Sequence, residues 1–164
     1  MENEMIEFRA ITENEDAAMA EIIRSSLEEV HLDIPGTAYF DASVDHLSRH
    51  YAGIPDAAYE VMLENGILIA GAGFAKYGGY EKCCELQKLY LKKEMRHQGY
   101  GKMMLDHITQ KAYEAGYRKM YLETHSVLKD ALKLYEKNGF RMISRPEDAV
   151  HSAMDLFYLK EIGK

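Results

Sequence analysis

The sequence predicts an α/β fold with a single mixed, mostly antiparallel central sheet flanked by helices. Two patterns support this prediction: short segments in which apolar and polar residues alternate, and longer segments in which apolar residues recur at helical spacing. A third observation is the pair Asn65-Gly66, a strong hairpin signal between two strand-like segments. A chain of 164 residues without a linker or an internal repeat is expected to form one domain over residues 1–164.

Seven strands and four helices account for these patterns, in the order β-α-α-β-β-β-α-β-α-β-β. The predicted strands cover residues 6–10, 59–63, 67–77, 83–91, 120–123, 140–144 and 154–159. The predicted helices cover residues 13–29, 44–51, 99–115 and 128–137.

The first half of the chain contains one strand, two helices and a hairpin. Thr12 and Glu15 form a capping-box pattern, and apolar residues recur every three or four positions after it, which predicts the first helix. Residues 31–41 include a Pro-Gly pair and predict a shaped loop before a shorter second helix. Asn65 and Gly66 both tolerate positive φ, so they are expected to join the second and third strands.

The second half alternates strands and helices. Gly78-Gly79 predicts a turn into the fourth strand, which leads into a long helix that Gly116 closes as a left-handed cap. Asn138-Gly139 closes the last helix. A loop over residues 145–152 contains a proline and separates the last two strands.

Composition limits the classes of partner. Lys and Arg number 20 against 27 Asp and Glu, a net charge of −7, whereas a general nucleic-acid binder needs a basic face. The longest apolar stretch, residues 67–75, is much too short to span a bilayer, and the amino terminus lacks the features of a signal peptide. The adjacent Cys83 and Cys84 cannot form a disulfide framework, so we expect a cytoplasmic protein. From the charge and the short apolar stretch, we expect it to bind neither nucleic acid nor membrane.

Residues 89–102 are the most informative segment, because a predicted strand there runs through a short turn into a long helix. Gly99 and Gly101 remove side chains at the first helical turn, where backbone N–H groups point outward and the helix dipole is positive. This arrangement predicts a site for an anion such as a pyrophosphate. The spacing fits neither a Walker P-loop nor a dinucleotide-binding turn. The alternative interpretation is a turn that needs glycine only for packing.

Two motifs on the last two helices point to a known family. The first is Arg96-His97-Gln98-Gly99-Tyr100-Gly101, which fits the pattern Arg/Gln-x-x-Gly-x-Gly/Ala, and the second is the segment ALKLYEKNGF at residues 131–140. Together they resemble the GNAT superfamily of acetyl-CoA-dependent N-acetyltransferases. The predicted element order is also similar to the fold of that family over essentially the whole chain.

The resemblance implies a site for acetyl-CoA. In this family the fourth strand splays from its neighbour, and its exposed backbone groups pair with the pantetheine arm like an added strand. The backbone amides of the turn before the long helix would then hold the pyrophosphate. The cofactor-binding residues implied are Leu89, Tyr90, Leu91, Arg96, His97, Gln98, Gly99, Tyr100, Gly101, Lys102, Thr124 and Leu128.

One position departs from the family pattern. Many members have an asparagine where this chain has Leu128, and that asparagine helps to hold the pantetheine arm or a water at the gap in the sheet. Thr124 or Ser126 is expected to supply the polar group instead.

Acetyl transfer from a thioester to an amine needs a neutral amine, a polarised carbonyl group and a proton for the leaving thiolate. By resemblance, Tyr135 is the general acid at the sulfur, and the Leu89 N–H lies near the carbonyl oxygen. The alternative is that Tyr135 only packs against the sheet. Glu85 matches a catalytic glutamate of histone-type members, where partial burial would raise its pKa and suit it to accept the amine proton. Glu85 facing solvent is the alternative, with Glu123 or His125 as substitute bases.

The resemblance also implies where the acceptor binds, between the loop at residues 31–41 and the segment at residues 145–155. The acidic and aromatic residues of these segments and of the third strand are Asp33, Tyr39, Phe40, Asp41, Tyr77, Glu147, Asp148 and Asp155. They predict a small cationic amine such as a polyamine, an amino sugar or an amino-acid derivative, because acidic groups steer cations and aromatic rings stack on them. An ordinary acidic surface is the alternative for this cluster.

Two other functions stay open: acetylation of a protein lysine or amino terminus, and a non-catalytic acetyl-CoA-binding module. The family suggests a possible homodimer. Histidines do not predict a metal site, because His46 and His50 are the only pair at i, i+4 spacing and no Glu follows His46. Cys83 and Cys84 are expected on opposite faces of one strand, with no base identified for a nucleophilic role.

Overall fold

The computed structural model describes residues 5–149 and 152–163, and within them seven strands form one sheet with four α-helices. The strands are β1 Ile6–Ala10, β2 Ala58–Glu64, β3 Ile67–Lys76, β4 Cys83–Leu91, β5 Lys119–Thr124, β6 Arg141–Ile143 and β7 Leu156–Glu161. The helices are α1 Glu13–Glu29, α2 Leu47–Ala52, α3 Tyr100–Glu114 and α4 Lys129–Lys137. This order confirms the predicted one. Residues 1–4, used in the expectation about export, and residues 150–151 of the predicted loop lie outside the described residues.

The local signals in the first half of the chain give the predicted elements. The Thr12 side chain accepts from the Asn14 N–H and the Glu15 side chain accepts from the Thr12 N–H, so α1 begins with a capping box. Asn65 and Gly66 both have positive φ in the β2–β3 hairpin. The second predicted helix is divided into a 3₁₀ turn, Ala42–His46, and the short α2.

The last strand lies two residues later than predicted. Asp155 stays outside it, because its carboxylate accepts from the Ser126 N–H and hydroxyl, both at 2.8 Å. At the other end Lys160 and Glu161 pair with Met120 and Lys119, so β7 continues through polar residues that an apolar pattern does not reveal.

The sheet order is β1-β2-β3-β4-β5-β7-β6, and all neighbours are antiparallel except β4 and β5. Strand β7 thus lies between β5 and β6, so the last strand of the chain is not at the sheet edge. The single parallel pair is the place where the sheet opens. Cys83, Cys84 and Glu85 pair with β5, and beyond them the rest of β4 and the end of β5 diverge. The splay implied by the resemblance is therefore present.

A β-bulge in β4 accompanies this opening. Gly71 pairs with Tyr90 and Gly73 with Gln87, so Ala72 faces two residues of β4. One of them, Lys88, has a φ of 52°, and its carbonyl oxygen accepts from the Tyr59 hydroxyl at 2.7 Å. The bulge turns the carboxyl half of β4 away from the regular ladder.

Apolar side chains fill both faces of the sheet. The first cluster lies on the side of α3 and α4, and its fully buried members include Met62, Ile69, Met104, Leu105 and Ile108. The second lies on the side of α1 and α2 and includes Met19, Ile23, Leu27, Leu47 and Val61. A third, smaller cluster contains Tyr77, Cys83, Tyr121, Ala149 and Phe157. In the described part of the chain, none of the helices has the length and apolar character that crossing a membrane requires.

Gly73 lies inside β3 and makes room for two tyrosine rings. A Cβ atom at this position would lie 2.6 Å from Cδ2 of Tyr59 and 3.1 Å from Cζ of Tyr51, and 2.9 Å from the carbonyl oxygen of Ala58. The rings and the backbone are fixed by the sheet, so the added atom has no room.

We expect Gly73→Ala to lower the free energy of unfolding by about 1–3 kcal/mol, because overpacking forces the neighbouring rings or backbone to shift. The matched control is Gly78→Ala, where a Cβ atom meets nothing within 4 Å. That variant is expected to stay within about 0.5 kcal/mol of the wild type. Urea unfolding measures both, and equal stability of the two variants would contradict the packing argument.

Candidate active site

The opening between β4 and β5 leads into a cavity of about 620 Å³. Its walls come from the carboxyl half of β4, the end of β5, the turn before α3, α4 and the end of α1. Ten of the twelve predicted cofactor-binding residues line it: Leu89, Tyr90, Leu91, Arg96, His97, Gly99, Gly101, Lys102, Thr124 and Leu128. The predicted general acid, Tyr135, also lines it. The fold thus brings both sequence motifs to one cavity.

The remaining two predicted cofactor residues do not line the cavity. Gln98 donates from Nε2 to the carbonyl oxygen of Glu94 at 2.9 Å. The Tyr100 hydroxyl donates to Oε2 of Glu64 at 2.5 Å, and its ring is buried in the first apolar cluster. Both residues were predicted to bind the pyrophosphate through their backbone amides. The positions of their side chains do not test that role, so it stays a prediction.

The turn before α3 has the backbone shape that the glycines suggested. His97 and Gly99 have φ values of 64° and 88°, and Gly99 is the N-cap of α3 without a side-chain capping bond. Amides in the first turn of a helix have no partner within that helix, and the helix dipole favours an anion there. Gly101 lies close to α4, since a Cβ atom on it would be 3.5 Å from Cδ2 of Leu134. The turn therefore has the backbone shape predicted for an anion site, and it packs closely against α4.

Basic side chains surround this turn. Lys129, Lys133 and Lys137 line the cavity from successive turns of α4, and in the described part of the chain none of them forms an ion pair. These lysines were not among the predicted site residues, although their four-residue spacing places them on one helix face. Arg96 is held by Glu29 at 2.8 Å and by the Ser26 hydroxyl at 3.1 Å. Basic residues in the cavity lining outnumber the acidic Glu29, Glu123 and Asp130, which favours an anionic ligand.

Tyr135 lines the cavity, and its hydroxyl has no partner among the residues that the structure describes. Every fully buried side-chain nitrogen or oxygen among the described residues has a hydrogen bond, but the Tyr135 hydroxyl has none within that part of the chain. Its oxygen is therefore accessible from the cavity that the residue lines. Burial of the ring raises the pKa of Tyr135, so the hydroxyl is protonated at neutral pH.

This state of Tyr135 contrasts with the other buried tyrosines. Hydroxyl partners are present for Tyr51, Tyr59, Tyr77, Tyr117, Tyr121 and Tyr158. A tyrosine that only packs against the sheet normally satisfies its hydroxyl in the same way. The free hydroxyl of Tyr135 favours a chemical role over the packing alternative.

Thr124 is the better placed of the two polar substitutes for the family asparagine. It lines the cavity at 3% exposure, and its hydroxyl has no hydrogen bond to any residue that the structure describes. Ser126 instead binds the Asp155 carboxylate. Leu128 lines the cavity as the N-cap of α4 and makes no side-chain capping bond.

Glu85 lies on β4 next to the point where the strands diverge. Its side chain is partly buried and does not line the cavity, and its Oε1 accepts from Nε2 of Gln87 at 3.2 Å. Burial, reinforced by the nearby carboxylates of Glu123 and Asp148, raises the pKa of Glu85 to about 7, while Gln87 and Lys88 act in the opposite direction. A carboxylate with this pKa is suited to accept a proton near neutral pH.

The two substitute bases are already engaged. Glu123 lines the cavity and accepts from the Tyr121 hydroxyl at 2.8 Å. His125 does not line the cavity, and its Nδ1 accepts from the Val127 N–H at 3.2 Å. Glu123 is therefore the substitute with access to the cavity.

The structure separates the acidic residues expected around the acceptor. Asp41 pairs with Lys88 at 3.4 Å, and Asp148 accepts from the Tyr77 hydroxyl at 3.2 Å. Asp148 lies on the face of the sheet that holds Glu85, since its partner Tyr77 packs in the third apolar cluster with Cys83, two residues before Glu85. The Asp155 carboxylate accepts hydrogen bonds from Ser126, while Asp33 and Glu147 are exposed.

The aromatic residues are also divided. Tyr77 stacks on Tyr121 with ring centroids 3.9 Å apart. Tyr39 donates from its hydroxyl to Glu28 at 2.5 Å, and Phe40 is 63% exposed. Of the three aromatic residues predicted to surround the acceptor, Tyr77 is therefore the one that packs next to Glu85, through its stacking on Tyr121.

Cysteine and metal chemistry find no support in the described residues. Cys83 and Cys84 are buried in different apolar clusters, on opposite faces of β4 as expected. Burial raises the pKa of Cys83 to about 11 and that of Cys84 to about 12, so both are thiols at neutral pH. Within residues 5–149 and 152–163, no three His, Cys, Asp or Glu side chains are grouped as metal ligands, and His46 and His50 are exposed.

Comparison with known proteins places the chain among acetyltransferases. The model of the acetyltransferase (GNAT) family matches residues 17–140. A relative in Escherichia coli K12, the uncharacterised N-acetyltransferase YjgM, is 35% identical over 137 residues, which cover 82% of this chain and 81% of the relative.

Solved structures have the same fold. A GNAT-family acetyltransferase from Staphylococcus aureus Mu50 superposes with a TM-score of 0.83 at 19% identity, over 97% of this chain and 100% of that one. The PaiA N-acetyltransferase from Thermoplasma acidophilum, crystallised with coenzyme A, gives a TM-score of 0.74 at 20% identity, over 96% of this chain and 99% of that one.

Proposed function

The chain belongs to the GNAT family of acetyltransferases, and from this premise we propose that it moves an acetyl group from acetyl-CoA to a small, cationic primary amine. Transfer is direct, with both substrates bound together. The observation that supports this most strongly is Tyr135, which lines the cavity at the gap between β4 and β5 and whose hydroxyl has no partner among the described residues.

The residues around the cavity fit acetyl-CoA. The turn from Arg96 to Lys102 offers amides and a helix N-terminus to a pyrophosphate, and three lysines of α4 add positive charge beside it. The diverging edge of β4 offers backbone groups to the pantetheine arm, as an added strand would use them. The structural neighbour crystallised with coenzyme A has the same fold, which is consistent with this assignment.

In this proposal acetyl-CoA supplies the thioester carbonyl carbon that the amine attacks. The Leu89 N–H, in the bulge of β4, stabilises the negative charge that develops on the carbonyl oxygen. As the C–N bond forms, Glu85 takes the proton that the amine loses, directly or through water. As the C–S bond breaks, the Tyr135 hydroxyl gives its proton to the departing sulfur.

The preference for a cationic amine is inferred from the acidic residues near the gap between β4 and β5. Four carboxylates, Glu85, Glu123, Asp41 and Asp148, lie near the gap. The neighbouring cations are Lys88, which pairs with Asp41, and Arg145, which lies over the Phe157 ring. Such an excess of negative charge raises the local concentration of cations and favours an amine that carries a second positive group.

The first experiment measures acetyl-CoA binding by thermal shift. At about 100 times the dissociation constant, a ligand of the folded state adds about 2.7 kcal/mol, which raises Tm by about 5–10 °C for a domain of this size. Free adenosine diphosphate is the control, and a clearly smaller shift is expected with it because it lacks the pantetheine arm. No shift at saturating acetyl-CoA would remove the basis of the proposal.

The second experiment compares acceptors. We expect kcat/KM to be highest for small di- and polyamines and to fall with added salt, because electrostatic steering is screened. Neutral amines of similar size are the control and should show a much weaker salt dependence. Good turnover of neutral or anionic amines together with negligible turnover of cationic ones would overturn the substrate assignment. A peptide with a free lysine tests the protein-acetylation alternative.

A further inference from the structure

We propose that Gln87 and Tyr51 are positioning residues that orient the Glu85 carboxylate and favour its ionised form. The inference deepens the proposed function, because it concerns the group assigned there as the base. Neither residue belongs to the two sequence motifs of the site.

The three side chains form a continuous hydrogen-bonded chain. The Tyr51 hydroxyl donates to Oε1 of Gln87 at 2.5 Å, and Nε2 of Gln87 donates to Oε1 of Glu85 at 3.2 Å. An ionised carboxylate only accepts, so it requires the amide nitrogen to face it. Burial and the nearby carboxylates of Glu85 and Asp41 raise the pKa of Tyr51, so its hydroxyl stays protonated and has a proton to donate to the amide oxygen. The ionised carboxylate therefore fixes the orientation of the amide, and Tyr51 binds the amide oxygen that this orientation presents to it.

The far end of the chain is anchored in the core. Tyr51 is 3% exposed, at the end of α2, and its ring lies 5.4 Å from that of Tyr59. Gly73 of β3 provides the space for both rings. Packing of the two rings thus holds the Tyr51 hydroxyl in place. Gln87, on β4, links that hydroxyl to the Glu85 carboxylate.

The effect on Glu85 can be separated from the other groups around it. Burial is the largest influence on its pKa and favours the protonated form, and the hydrogen bond from Gln87 is the largest opposing one. The titratable and charged groups near Glu85 are Tyr51 on α2, Cys83, Cys84 and Lys88 on β4, Tyr121 and Glu123 on β5, and Asp148 in the 3₁₀ helix Glu147–Ala149. Removing the Gln87 donor leaves all of these in place.

The direct test is a ¹³C NMR titration of the Glu85 side-chain carboxyl in the full chain. Gln87→Met, which keeps the size but loses the donor, is expected to raise the pKa of Glu85 above its wild-type value by about one pH unit, as a hydrogen bond to a charged group implies. Tyr51→Phe should raise it in the same direction by less, because Gln87 keeps its donor but loses the hydrogen bond from Tyr51 to its amide oxygen. Tyr117→Phe is the matched control, since that buried hydroxyl binds the Asp56 carbonyl oxygen at 2.8 Å, and no change is expected.

Activity gives the second readout. In both variants the fall of kcat/KM on the acidic side should move to higher pH, and kcat/KM should recover at high pH. At pH values below the pKa of Glu85, the loss is expected to be about tenfold for Gln87→Met and smaller for Tyr51→Phe. A purely structural role would lower kcat/KM at every pH. An unchanged Glu85 titration in Gln87→Met and Tyr51→Phe would overturn the proposal. The titration needs no substrate, so a shifted pKa in a protein that acetylates no amine would refute the proposed function and leave this inference standing.

Discussion

Replacing Tyr135 with phenylalanine is expected to lower kcat by about 10²- to 10⁴-fold, the usual contribution of a positioned general acid. The ring stays in its pocket against Phe140 and Tyr158, and only the hydroxyl at the cavity is lost. Acetyl-CoA binding, measured by thermal shift or calorimetry, should be unchanged. A loss in kcat with binding kept identifies an interaction of the transition state.

The control for Tyr135→Phe is Tyr158→Phe. Tyr158 lies next to Tyr135, with ring centroids 6.3 Å apart, but its hydroxyl donates to Glu136 at 2.7 Å. That variant is expected to keep kcat within a few-fold, because it loses a hydrogen bond outside the cavity. If Tyr135→Phe binds acetyl-CoA and turns over like the wild type, the general-acid role is wrong, and a non-catalytic acetyl-CoA-binding module becomes the better interpretation.

Replacing Glu85 with glutamine is expected to remove most of the activity and its dependence on pH near neutrality. The carboxylate accepts a proton only when ionised, so wild-type kcat/KM should fall as pH drops through about 7, the pKa to which burial raises Glu85. The loss in Glu85→Gln should reach about 10²- to 10⁴-fold above that pH. Glu123→Gln is the comparison, because Glu123 faces the same gap. If Glu123→Gln removes the acidic limb and Glu85→Gln keeps it, Glu123 is the base.

Glu85→Gln is expected to lower activity but to raise thermal stability at neutral pH. The pKa of Glu85 in the folded protein, about 7, lies above its ordinary value of 4.5, so the fold favours the protonated form. That contribution is fully present below pH 4.5 and is lost as pH rises through 7. Glutamine is neutral throughout, so the Tm of Glu85→Gln relative to the wild type should increase across this range and level off above it. A pH-independent difference in Tm would contradict the raised pKa.

Much of the fold follows from local chemistry that the sequence displays. The capping box at Thr12 and the Asn65-Gly66 turn depend on neighbouring residues only, and both occur where predicted. The order of strands in the sheet does not follow, since β7 inserts between β5 and β6 through contacts distant in sequence. The polar end of β7 was missed for the same reason. Lys160 and Glu161 belong to the strand because they pair with β5, and an apolar pattern in the sequence does not reveal that pairing.

The candidate site divides in the same way. The anion turn at Gly99 and the position of Tyr135 in its motif could be recognised from the residues, because a backbone conformation and a short motif are local properties. The lysine face of α4 was visible as a spacing, but its direction toward the cavity depends on how α4 packs on the sheet.

By itself, the sequence determined the class of this protein: its elements, the glycine turn for an anion, and the tyrosine motif that goes with it. Only the tertiary structure decided that the hydroxyls of Tyr135 and Thr124 have no partner among the described residues, which carboxylate has a raised pKa, and which side chains contact it. Burial and hydrogen bonding depend on residues such as Tyr51 and Glu85, which are distant in sequence and meet only when α2 packs on the sheet. Chemical reactivity at this site is therefore a property of packing that the residue types permit but do not specify.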